Sequence, residues 1–181
     1  GSDPMRMVAP SVLPSRCDFF LRWADARAGE SLGELPCAVK NVAAGFTETG
    51  RREGLQLLRG IGSGEIVLAH LAFPELPERH RWAVVVSSQS PSLAVQKLVS
   101  SICPSGEPLR RGIDRTQSLD VYKTLRPDFF RVVLSPLFGD SVASYFMAAD
   151  GAVVFASSQE TLERVAISGL RGQTLRNDVT F

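Results

Sequence analysis

Hydrophobic positions change their spacing several times along this chain, and the changes mark out its elements. Residues 18–23 (Asp-Phe-Phe-Leu-Arg-Trp) form an aromatic-rich run that predicts a first strand, with 24–28 able to extend as helix instead. In 36–46, Val39, Val42, Ala43 and Phe46 recur at three and four, the spacing of one helix face. Pro36 suits a first helical turn, and Gly45 weakens the far end. A second helical stretch over 48–58 sets Leu55, Leu57 and Leu58 against a wet face of Arg51, Arg52 and Glu53. It ends at Gly60, Gly62 and Gly64.

Beyond those glycines the period is lost in favour of short runs apolar on both sides. Residues 65–73 (EIVLAHLAF), stopped by Pro74, and 81–88 (RWAVVVSS) predict two well-covered strands joined by a hairpin loop. Ser90 followed by Pro91 opens a helix whose stripe is Val95, Leu98, Val99 and Ile102, closed by Pro104 and Gly106. Residues 109–118 are polar and Arg-rich and predict a loop. Four short strands are expected over 119–124, 129–135, 143–149 and 152–156. Asp150-Gly151 between the last two is a strong hairpin signal, both residues tolerating positive φ. Ser157 and Glu160 offer a capping box for a helix carrying Leu162, Val165, Ala166 and Leu170, with Gly172 as its stop.

Strand pairs interleaved with helices predict an α+β fold: a mostly antiparallel sheet with helices packed on one face. The unit strand–strand–helix occurs twice, over 65–102 and 143–170, which hints at an internal repeat without residue-level identity. Residues 1–15 read as a tag (Gly1-Ser2-Asp3-Pro4) and an extended lead-in containing Pro10 and Pro14. Residues 16–181 then form a single α+β domain, expected to be a fragment of a longer chain because the sequence stops at Phe181 with neither a cap nor a charged tail.

At 181 residues with 44% hydrophobic content, the chain is long enough to bury a core without disulfides or metal. A net charge of +1 gives no whole-molecule field toward nucleic acid or anionic lipid. No apolar run approaches the roughly 20 residues a bilayer crossing needs, so no membrane span is expected. Cys17, Cys37 and Cys103 have no metal spacing. Their odd number prevents complete internal pairing, although a bridge between Cys17 and Cys37 is allowed by arithmetic. Small buried thiols are the ordinary reading.

One segment carries a resemblance. Residues 145–158 (Tyr-Phe-Met-Ala-Ala-Asp-Gly-Ala-Val-Val-Phe-Ala-Ser-Ser) lead into the helix with Leu162, then into Gly172, Thr174, Leu175, Asp178 and Phe181. This resembles an uncharacterised family of large bacterial envelope proteins, built from repeated α+β units behind an N-terminal membrane anchor. In that family a hairpin ending in xxFASS precedes a helix and a G-x-T-L-x-x-D-x-x-F run into the next unit. Gly64-Glu65 before one strand and Trp82 opening another also fit that layout. The likeness spans about 40 residues closely, and its motifs are structural. It implies an extracytoplasmic setting (periplasmic, membrane-anchored in the full-length protein) and continuation beyond Phe181; no activity is attached to the family, so none is carried over.

Candidate chemistry is sparse. Of two histidines, His70 lies mid-strand among Leu68, Ala69, Leu71 and Ala72, where a ring satisfied by a neighbour is the ordinary reading; His80 sits in a charged loop. Ser63, between Gly62 and Gly64, lacks the G-x-S-x-G spacing and precedes a strand instead of following one. The same glycines have the strand after them, the reverse of a dinucleotide-binding turn. Asp114, Asp120, Asp128, Asp140 and Asp150 fall near strand ends, as turn aspartates do. Arg110, Arg111 and Arg115 make a small basic loop diluted by Glu107 and Asp114. No cofactor is expected and no nucleic-acid partner.

The function expected is therefore a non-enzymatic scaffold or interaction module of a larger bacterial envelope protein, its partners another protein or further domains of the same chain. The alternative is a hydrolase or small-ligand-binding domain with a pocket near His70. His70, Arg110, Arg111 and Arg115 are the candidates for a ligand or partner surface.

Overall fold

The computed structural model describes residues 8–24, 60–62, 64–102, 109–112, 118–124, 145–174 and 177. Within them the β-branched and aromatic runs form strands β1 (Cys17–Ala24), β2 (Glu65–Leu71), β3 (Trp82–Ser87), β4 (Leu109–Gly112), β5 (Ser118–Lys123), β6 (Tyr145–Ala149) and β7 (Ala152–Ala156). A short helix α1 (Ala9–Val12) precedes β1, α2 (Pro91–Ile102) follows β3, and α3 (Gln159–Leu170) follows β7. The strands make one seven-stranded sheet in the order β1-β2-β3-β7-β6-β5-β4, with each neighbouring pair antiparallel. The α+β class and the antiparallel sheet expected from the sequence are both present.

The helices, expected on one face, divide between two. Ile66 and Leu68 of β2, Val84 and Val86 of β3, and Val153 and Phe155 of β7 pack with Ala94, Val95 and Leu98 of α2. The intervening residues Val67, Ala69, Val85, Ala152 and Val154 pack instead with Val12 and Leu13 beside α1 and with Leu162 and Val165 of α3. Alternation along a strand sends successive side chains to opposite faces. A strand buried at every position, as β2 and β7 are, needs cover on both sides. One layer of helices cannot supply it.

That division bears on the repeat. β3 and β7 are antiparallel neighbours, so the rotation exchanging the two strand–strand–helix units has its axis normal to the sheet. Such a rotation leaves a helix on its own face, whereas α2 and α3 lie on opposite faces. The units share an order of elements, and no rotation superposes their arrangement.

Three local expectations shift. Leu109–Gly112, expected in a loop, is an edge strand, because backbone pairing of Leu109 with Val121 and Arg111 with Leu119 does not depend on apolar side chains. The cap of α3 is Ser158 rather than Ser157: its hydroxyl accepts from the Thr161 amide at 3.2 Å. At the β6–β7 turn only Gly151 takes positive φ (+70°), and Asp150 keeps a negative one. The expected stop at Gly172 is present as a Schellman closure, with φ +66°, the Gly172 amide on the Gly169 carbonyl and the Gln173 amide on the Ser168 carbonyl. The helices expected over 36–46 and 48–58 and the strand over 129–135 lie outside the described residues, as do Cys37, Ser63, Cys103, Asp114, Arg115, Asp128 and Asp140.

Candidate functional site

Among the sequence-predicted candidates, His70 has a structured polar setting. It sits near the end of β2, on the α2 face, opposite Trp82 of β3, whose ring meets the imidazole edge-on at 4.7 Å between centroids. A register shift between Cys17 and Phe19 puts a bulge in β1 at Asp18. Strict alternation would put Cys17 and Phe19 on the same face and Asp18 on the other. Cys17 pairs with Leu71 and packs on the α1 and α3 face, so Asp18 is on the face of His70, and the extra residue lets Phe19 pair with His70 as well. Its Oδ2 lies 2.8 Å from His70 Nδ1.

The second ring nitrogen is engaged too. Glu78 Oε1, from the short 3-10 turn before β3, lies 2.7 Å from His70 Nε2. The other Glu78 oxygen accepts from Arg81 at 3.0 Å, and Arg81 donates further to the carbonyls of Leu76 and Pro74. Imidazolium has an N–H for each carboxylate, whereas neutral imidazole has only one. The side chain of His70 is 10% exposed against 51% and 68% for Asp18 and Glu78, so water screens the carboxylate ends of both pairs. The network fastens the β2–β3 loop: α3 holds the same loop through Thr161 to the His80 carbonyl and Arg164 to Glu75.

Nucleophilic catalysis would require something else at Nε2. In a Ser-His-acid arrangement an acid orients Nδ1 and the nucleophile stands at Nε2. Asp18 fills the first role in geometry, but Glu78 occupies the second position. Cys17 donates its thiol hydrogen to the His70 backbone carbonyl at 3.2 Å. No group of three His, Cys, Asp or Glu able to hold a metal ion occurs among the described residues. No described helix is long and apolar enough to cross a membrane.

The arginine candidates lie elsewhere. Arg110 and Arg111 are in β4, whose backbone pairs them with Asp120 and Leu119, and Arg115 is outside the described residues. β2 and β4 are five strand positions apart, about 24 Å at ordinary strand spacing, so His70 and these arginines do not form one site. A groove of about 670 Å³ is present, lined from α1, α3, β5 and β6 on the face opposite His70. It is not the pocket near His70 that the alternative reading expected. Asp18, Glu78 and Arg81 were not singled out from sequence, and Trp82 only as the opening of a strand. Glu78 and Arg81, three apart, were legible as a pair, but the reach of Asp18 depends on the pairing of β1 with β2.

No protein-family model, curated protein or solved structure matches this chain.

Proposed function

We propose that this chain is a non-enzymatic module, serving as scaffold or interaction surface, of a larger bacterial envelope protein outside the cytoplasm. The observation that carries the first half is the engagement of His70 on both ring nitrogens, by Asp18 and Glu78. A general base has to offer one nitrogen to the reacting group, and here both are committed to holding the β1 bulge and the β2–β3 loop against the sheet. The envelope setting rests on the resemblance around residues 145–181. Two residues of its motif have structural work: Gly172 closes α3, and Thr174 is buried in a bridge to Pro14.

The test has two arms. Chromogenic ester, phosphomonoester and glycoside substrates are expected to show no turnover above buffer; turnover abolished in a folded His70→Gln variant would overturn the non-enzymatic reading. Alkaline phosphatase fused after Phe181 in the full-length gene product is expected to be active in bacterial cells. An inactive fusion, with a cytoplasmic reporter active at the same point, would overturn the envelope setting.

A further inference from the structure

The groove on the α1 and α3 face is separate from the His70 network and is built from small side chains. Ala149 of β6, Ala166 and Gly169 of α3, and Ser11 of α1 stand where larger residues would close it, above the buried Met147 and Val165. Its volume of about 670 Å³ is many times that of one water and within the size of pockets that take small organic molecules.

The described lining residues carry charge of one sign. Asp150, exposed in the β6–β7 turn, is the charged residue among the described lining residues, which include no Lys, Arg or His. α3 starts beyond the end of β7 and returns across the sheet, so its last turn, Gly169 and Leu170, comes back to the end where that turn lies. The hydroxyls of Ser11 and Ser118 can accept hydrogen bonds. An apolar floor under an anionic rim repels carboxylates and phosphates and complements a cation.

We propose that this groove binds a small organic amine, its ammonium at Asp150 and its apolar body over Met147 and Val165. An ammonium donates charge-assisted hydrogen bonds to a carboxylate, and a compact aliphatic body replaces water over the floor. The proposal goes beyond the scaffold reading and makes no use of His70.

Titration of the folded chain with hexylammonium, hexanol and hexanoate, followed by amide and Met147 methyl NMR shifts, tests it. Hexylammonium is expected to shift Met147, Val165 and Leu170 and to bind at least tenfold tighter than hexanol, with hexanoate weakest. Asp150→Asn is expected to bring the amine and the alcohol to equal affinity. Gly169→Trp sets a bulky ring at the groove where a Cβ meets nothing within 4 Å, and with an unchanged circular dichroism spectrum it is expected to lose binding. Absence of hexylammonium binding at millimolar concentration, hexanoate binding as well as the amine, or unchanged binding in Gly169→Trp would overturn the proposal. His70→Gln is expected to leave the amine affinity unchanged, so failure here and failure of the scaffold reading are separately visible.

Discussion

The two faces of one sheet are packed by different means. Under α2 the strands contribute rings: Phe146 and Phe155 lie 5.9 Å apart between centroids, Tyr122 stacks on Phe146 at 5.5 Å, and Trp82 packs against the same cluster. Under α1 and α3 the same strands contribute Ala152, Val154, Ala156, Ala83 and Val85. β7 shows the contrast within five residues: Phe155 goes one way, and its neighbours Val154 and Ala156 go the other. Helix cover alone therefore does not determine packing. Rings fill the space between sheet and helix, whereas alanines and valines leave part of it open, and the groove lies on the face built from small residues.

The largest expected effect tests the ring face. Phe155→Ala removes a fully buried ring and should cost about 3–5 kcal/mol in urea denaturation. A loss no greater than that of Val154→Ala would break the contrast. Next, the small-residue face is itself divided between filled and open parts. Ala152→Leu, at a position with no exposure, should destabilise by about 1–3 kcal/mol through overpacking. Ala166→Leu, at the groove, should change stability by about 0.5 kcal/mol or less. Equal thermal midpoints for the two variants would mean that the groove is not open space in solution.

His70 belongs to the ring face at its polar margin. His70→Gln retains a side chain that hydrogen-bonds but leaves Asp18 and Glu78 without the ring they share. A loss of about 1–2 kcal/mol is expected, moderated by the exposure of both carboxylates. Amide exchange should quicken first in the β2–β3 loop, and uniform acceleration across β2 and β3 would contradict the fastening role. A further loss concerns α3, the helix over the groove: Ser158→Ala removes its cap and should cost about 1 kcal/mol by thermal denaturation.

Much of the fold was legible from local chemistry. Val84, Val85 and Val86 could only be a strand covered on both sides, and Asp150-Gly151 between apolar runs could only be a tight turn. The stripe of Leu162 and Val165 and the stop at Gly172 are statements about one helix and its end, which neighbouring residues decide. The Arg110 and Arg111 segment was misread because an edge strand asks only for backbone partners, and side-chain pattern carries no record of them. Of the site, His70 was visible and its setting was not. Asp18 and His70 are 52 residues apart, and only the pairing of β1 with β2 brings them together.

From its own order of residues, then, this chain specifies an antiparallel α+β body, because period, proline, glycine and cap preferences act within a few residues. Tertiary structure alone decides which helix covers which face, that both histidine nitrogens meet carboxylates, and that small side chains from separate elements leave a groove. Those features depend on distances between segments far apart in the chain. Such distances are set by packing and register, which no local pattern encodes.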